Sequence, residues 1–331
     1  MKVMVKDLRA KQFVTTFFLL SSFELRRTKS GKEFLLLRLS DRTGSIIGFI
    51  WKNPTLMLHI LKENSIVKLM GVTRQMSGSL GLDVYRISGA EREEVNLDDY
   101  LGVVSEGISY WYGRLIESVR EIRDRYCRGL IDSFLGDEAF MSSFKVCPGG
   151  VSYHHPYRGG LLEHTVMTMK QAVLISGRLS EIIDRDLLMT GCFLHDIGKI
   201  RELTVGLPRD YTTEGRLLGH IFLGLLMLEE RLLRMGGFPE DLTLHLRHMI
   251  LSHHGQPEHG SPIRPLTPEA FVLHLIEGSD AAINHLYLHL RGLEKDQIWS
   301  PYDRFLKAEL YLKKFKRCEA LERRPPFPSN G

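Results

Sequence analysis

Phe193-Leu194-His195-Asp196-Ile197-Gly198-Lys199 closes an apolar run and places a histidine beside an aspartate where that run ends. Leu187 to Leu194 are apolar almost without interruption, which predicts a helix from about Asp186 that is buried all round. A carboxylate at the end of such a helix is costly unless it is paired or holds a cation. Adjacent helical residues point about 100° apart, so His195 and Asp196 reach one ion only where the helix stops, and Gly198 supplies the stop.

Working outward, four further stretches of helical period each bring one chelating position. His164 opens a helix that runs to about Ser176. His220 follows Gly215-Arg216-Leu217-Leu218-Gly219 on another. His253 and His254 close a third, behind Leu242, Leu246, Met249 and Ile250, and Asp280 sits inside Pro268 to Leu290. Any one of these alone reads as a hydrogen-bonded core residue. Together, around a His-Asp dyad, they point to a site for more than one metal ion. His253 is taken as the ligand of the adjacent pair, and His254 as a contact either to the ligands from behind or to substrate. Ile108 to Leu135 and Glu138 to Val146 extend the helical pattern upstream, so residues 108–322 read as an all-α domain.

Residues 1–90 read differently. Gln12–Leu20, Phe34–Leu39, Ser45–Trp51, Ile66–Thr73 and Leu80–Ile87 are β-branched and aromatic runs separated by turn residues, with one helical piece, Thr55–Lys62, between the third and fourth. Five strands with a helix in that place give the order of an all-β OB-fold barrel, which binds single-stranded nucleic acid by stacking bases over a basic groove. Phe18, Phe34, Phe49, Trp51 and Tyr85 are candidate stacking residues. Arg26, Arg27, Lys29, Lys32, Arg38 and Arg74 are candidate phosphate contacts. The acidic stretch 91–107 reads as a linker and 323–331 as a flexible tail.

The chain has 331 residues, 43% of them hydrophobic, enough for a core in each domain. Its net charge of +4 conceals an asymmetry: residues 1–90 carry 15 Lys and Arg against 6 Asp and Glu, and residues 304–331 carry 8 against 3. A basic barrel and a basic end around an acidic middle suit a polyanion-binding module joined to a cation-binding centre. The four cysteines, Cys127, Cys147, Cys192 and Cys318, lack C-x-x-C spacing, and the charged start and the lack of a long apolar run argue against a secretory signal and a membrane span. The expected setting is the cytoplasm. The oligomeric state stays open, a homo-oligomer included.

His164, His195-Asp196 and Asp280 match the H…HD…D pattern of the HD-domain metal-dependent phosphohydrolases, and His220 and His253 match the additional histidines of the two-metal members. His154-His155-Pro156-Tyr157-Arg158-Gly159-Gly160-Leu161-Leu162-Glu163-His164-Thr165, placed after a basic barrel, resembles the YhaM-type 3′-to-5′ exoribonucleases over nearly the whole chain. The resemblance implies phosphodiester hydrolysis of single-stranded RNA, with single-stranded DNA as a further candidate partner. A nucleotide or cyclic-dinucleotide phosphohydrolase and a non-catalytic RNA-binding regulator are the alternative readings.

The residues themselves suggest a mechanism. Several imidazoles with two carboxylates favour manganese, or cobalt, iron, zinc or nickel, over magnesium. In this expectation His164, His195, Asp196 and Asp280 hold one ion, and Asp196, His220 and His253 hold a second. Asp196 bridges the two, and a hydroxide between the ions attacks phosphorus. Lys199, His154, His155 and Arg158 are placed to contact a phosphate, although Lys199 alone would read as a solvated charge in a turn.

Overall fold

The computed structural model describes residues 3–313 apart from 60, 64, 77–79, 97, 98, 101–103, 105, 152, 153, 206–209, 292, 294–296 and 304. The expected domain end at 322 and the tail 323–331 therefore lie outside the described residues.

Strands β1 (Phe13–Arg27), β2 (Glu33–Asp41), β3 (Gly44–Ile50), β4 (Ser65–Gln75) and β5 (Leu80–Gly89) close a barrel in the order β1-β2-β3-β5-β4. Helix α1 (Pro54–Met57) lies between β3 and β4, which completes the OB-fold arrangement. The first part of β1 pairs with β4 and the later part with β2, and a register shift between Leu20 and Ser22 bends the strand between its two partners. Period-two alternation sends Leu35, Leu37 and Leu39 into the core with Leu20, Leu69 and Leu82, while Phe34, Leu36 and Arg38 face outward. Two expectations need correction. Phe18 is fully buried in that core, so it offers no platform to a base. The helical piece expected over Thr55–Lys62 is confined to Pro54–Met57.

The helical part comprises α2 (Ile108–Arg120), α3 (Arg125–Leu135), α4 (Glu138–Phe144), α5 (Gly160–Arg178), α6 (Arg185–Leu194), α7 (Lys199–Glu202), α8 (Thr213–Met235), α9 (Glu240–Ser252) and α10 (Pro268–Leu290). The helical spacing over 108–135 is split between two helices. Asp124 accepts hydrogen bonds from the amides of Tyr126 at 2.9 Å and Cys127 at 2.8 Å, and this N-cap starts a new helix. The apolar face nevertheless continues across the break, because Leu115, Val119, Leu130 and Phe134 share one core. Helix α6 sits at the middle of that core, with every residue from Leu187 to Leu194 buried and with α5, α9 and α3 packed against it.

Within the stretch 91–107, Tyr100 is buried with Leu19 and Ile66 of the barrel, and Val104 joins the helical core and donates its amide to the Arg158 carbonyl at 3.1 Å. Residues from Leu286 onward group separately, with antiparallel bridges Trp299↔Tyr311 and Asp303↔Ala308. Among the described residues no helix is long and apolar enough to cross a membrane.

Candidate metal centre

Helix α6 stops at Leu194, and His195 to Gly198 form the turn into α7. The turn lies hard against α8. A Cβ on Gly198 would collide with the His220 carbonyl oxygen and the Gly224 nitrogen, so only glycine brings the dyad this close to His220. On α8 itself, Gly219 takes a φ of 73° and breaks the helical path one residue before His220.

The hydrogen bonds at the back of four imidazoles decide what their fronts can do. Nδ1 of His195 lies 2.9 Å from the Cys192 carbonyl and Nδ1 of His253 lies 2.8 Å from the Ile250 carbonyl. Nδ1 of His164 lies 2.7 Å from Asp280 Oδ2, and Nδ1 of His220 lies 3.1 Å from Glu202 Oε1. Carbonyls and ionised carboxylates only accept, so each neutral ring carries its proton on Nδ1 and a lone pair on Nε2. All four lone pairs converge on Asp196. His164 and His195 stand 3.6 and 3.4 Å from its Oδ2, whereas His220 and His253 stand 3.6 and 3.7 Å from its Oδ1.

Among the described residues, Lys199 alone donates to Asp196, and no N–H or O–H donor answers the four Nε2 atoms. Nε2 of His164 faces Nε2 of His195 at 3.1 Å, and Nε2 of His220 faces Nε2 of His254 at the same distance. Asp196 Oδ1 and His253 Nε2 are buried and, among the described residues, have no hydrogen-bond partner. Acceptors packed against acceptors in a dry interior call for cations, and the residues present fit them. One donor set is His164, His195 and Asp196; a second is His220, His253 and His254, beside the second oxygen of Asp196; a third, His155, His164 and Asp280, lies on the Nδ1 side of His164. The Nδ1 partners are the supporting contacts that fix ligand tautomer and orientation in metal sites.

Burial keeps His164, His253 and His254 neutral. Burial pushes His164 down to about 4 against the pull of Asp280, and it pushes His254 down to about 3 with help from His220. Burial alone would raise Asp196, but the Lys199 ammonium beside it holds it well below the usual carboxylate range.

Three expected residues are placed differently from their first reading. Lys199 is no solvated turn charge: it is 4% exposed, with Nζ 2.6 Å from Asp196 Oδ2 and 2.8 Å from the Gly149 carbonyl. Asp280, expected on the first ion, stands behind His164 on the ring edge away from Asp196. His155, expected to contact substrate, is buried behind the site. Its Nε2 is 2.8 Å from Asp280 Oδ2, its Nδ1 is 2.8 Å from the Tyr157 hydroxyl, and its amide donates to Asn284 Oδ1 at 2.7 Å. Tyr157 in turn donates to Glu163 at 2.5 Å. These bonds hold His155 at a φ of 44°, a left-handed conformation that a histidine rarely adopts.

The sequence reading missed Glu202, Tyr157, Glu163 and Asn284. Tyr157 and Glu163 lay within the quoted string, and Asn284 lies four residues beyond Asp280, on the same helix face.

In front of the centre opens a cavity of about 390 Å³ walled by Gly149, Gly150, His154, Lys199, Tyr211 and His254, among others. His154 lies 3.5 Å from the Lys199 ammonium, and burial and that charge push it down to about 2, so it is neutral at pH 7. Arg158 is half-buried and is not part of this wall.

On the barrel, Phe34 stacks on Trp51 with centroids 4.8 Å apart, and Phe49 lies 6.0 Å from Trp51. The Arg74 guanidinium covers Phe49 at 4.2 Å, the Lys32 ammonium stands 5.7 Å from Trp51, and the Trp51 indole donates to Asp83 at 2.9 Å. The structure thus gathers Lys32, Phe34, Trp51 and Arg74. Arg26 and Arg27 are exposed but paired with Glu24 and Glu33, and Lys29 and Arg38 are exposed.

Comparison with known proteins gives an HD-domain profile match over residues 161–282. The 3′-5′ exoribonuclease YhaM of Bacillus subtilis is 32% identical over 276 residues, covering 82% of this chain and 85% of the relative. YhaM of Oceanobacillus iheyensis is 32% identical over 288 residues, covering 85% and 87%. Among solved structures, the second OB-fold domain of replication protein A from Methanococcus maripaludis shares 24% identity, covering 28% of this chain and 97% of that domain with a TM-score of 0.24.

Proposed function

The chain belongs to the family of YhaM-type 3′-5′ exoribonucleases, and from that premise we propose that it removes nucleotides from the 3′ end of single-stranded RNA by metal-dependent phosphodiester hydrolysis. The observation that carries the chemistry is the convergence of four Nε2 lone pairs on the two oxygens of Asp196. His164, His195 and Asp196 are the donors for one divalent ion, and His220, His253, His254 and the second oxygen of Asp196 are the donors for another. So many imidazoles favour manganese, cobalt, iron, zinc or nickel over magnesium. Bound there, such ions lower the pKa of water and neutralise charge on the phosphodiester.

The protein's own groups do the rest. Asp280 and Glu202 hold His164 and His220 in the productive tautomer. The Lys199 ammonium, anchored by Asp196 and Gly149, offers its remaining donor capacity to a phosphate oxygen at the cavity wall. His154, neutral at pH 7, is a hydrogen-bond partner for the phosphate or sugar. The Phe34, Trp51 and Arg74 face of the barrel holds the strand upstream by base stacking and charge. In this division residues 1–90 bind the polymer and the helical domain cuts it.

The test uses a 5′-labelled single-stranded RNA in manganese. Wild type should shorten the RNA stepwise from its 3′ end, and Asp196→Ala should lose on the order of 10³-fold in rate together with bound metal. Equal rates in the two proteins would remove the site from the reaction.

A further inference from the structure

The cavity in front of the metal centre has one wall that the chemistry above does not use. Tyr211 lines it together with His154, Lys199 and His254, and its side chain belongs to no core cluster among the described residues, the residue being 44% exposed.

The local fold holds this residue in place. Tyr211 forms an antiparallel bridge with Leu203, directly after α7, the helix that carries Lys199. The Thr204 amide donates to the Asp210 carbonyl at 2.9 Å, and the Thr212 amide donates to the Glu202 carbonyl at 2.8 Å, so Tyr211 is clamped on both sides by backbone bonds. Asp210 accepts from the Tyr211 amide at 2.8 Å and from Arg216 at 2.6 Å, which ties the same segment to α8. Thr212 caps α8 through the Gly215 amide at 2.8 Å. The backbone of Tyr211 is therefore anchored to the elements that also carry Lys199 and His220.

The rest of the wall limits the ligand. Gly149 and Gly150 leave backbone in place of side chains, Lys199 brings a cation, and Glu202 spends its carboxylate on His220. A volume of about 390 Å³ lies at the small end of the range for ligand pockets, suited to one nucleotide and too small for several. We propose that Tyr211 forms a stacking subsite for the 3′-terminal base of the RNA, so that one terminal nucleotide fills the cavity with its base on the ring and its phosphate beside Lys199. This rests on the exoribonuclease reading and adds to it the place of the terminal base. Because every base presents a π-face, the subsite grips the strand end with little preference for sequence.

The experiment compares wild type, Tyr211→Ala and Tyr211→Trp on two 5′-labelled RNAs in manganese, one intact and one with an abasic 3′-terminal residue, with metal content measured in each protein. On intact RNA, Tyr211→Ala should raise KM about tenfold to a hundredfold at nearly unchanged kcat and metal content, and Tyr211→Trp should restore KM. The abasic end should impose a similar loss on wild type and little further loss on Tyr211→Ala. An unchanged KM in Tyr211→Ala, or full additivity of the variant and the abasic end, overturns the subsite while leaving the exoribonuclease reading intact. Wild type that leaves intact RNA uncut overturns that reading and the subsite with it.

Discussion

The metal centre and the aromatic face of the barrel meet polyanions by opposite designs. At the centre the functional atoms are buried, each ring is fixed by a bond to its far nitrogen, and two acceptors have no hydrogen-bond partner among the described residues. On the barrel the aromatics are half-buried or packed on one another, the cations are largely exposed, and several already have partners, as Arg26 has Glu24 and Arg27 has Glu33. Desolvated, single-purpose contacts are worth much each, whereas exposed contacts are individually weak and add up. Damage at the centre should therefore be severe and local. Damage on the barrel should be graded and spread over the polymer.

The contrast can be broken most directly behind the ligands. Asp280→Asn keeps the shape but removes the charge that fixes the proton on His164 Nδ1. Metal affinity by calorimetry should fall about 10-fold to 100-fold, with hydrolysis falling alongside. An unchanged affinity would mean that Asp280 does not set the tautomer.

Acid should act at the centre next. His164 is held down to about 4 in the fold, whereas an exposed histidine titrates near 6.5, so between these values the unfolded chain binds the extra proton. Stability from this group is present at pH 7 and is lost as pH falls below about 6.5, amounting to about 2 kcal/mol by pH 5. Thermal melts of metal-free protein should show the loss, and His164→Gln should reduce it. A melting temperature equally flat in both proteins would rule it out.

The barrel should answer more gently. Trp51→Ala removes the ring that stacks on Phe34, and affinity for a long single-stranded RNA should fall on the order of tenfold in fluorescence anisotropy. Turnover of a dinucleotide, too short to span both regions, should be unchanged. Equal losses on the long and the short substrate would place Trp51 in the catalytic part of the molecule and erase the contrast.

How much could be read in advance depended on the kind of signal. The buried run Leu187–Leu194 and the five β-rich segments carry their period in the residues, so the all-α and barrel parts were legible, as was the gathering of His164, His195, Asp196, His220 and His253. The break between α2 and α3 was harder, because the Asp124 cap leaves the apolar spacing on either side in phase. Phe18 and Phe49 look alike as letters, yet one lies inside the barrel and the other reaches Arg74.

What the sequence determined alone was an inventory and its spacing: two regions of different period, a basic front, and chelating residues one to a helix around a dyad. What only the tertiary structure decided was direction. Which nitrogen of each histidine faces Asp196, why Lys199 is buried, and why His155 and Asp280 stand behind His164 depend on contacts between residues far apart in the chain, such as His164 with Asp280 and Gly198 with His220. A linear pattern fixes the face of a helix on which a side chain lies. The atom across from it, and hence the proton it carries, is set by whichever helix packs there.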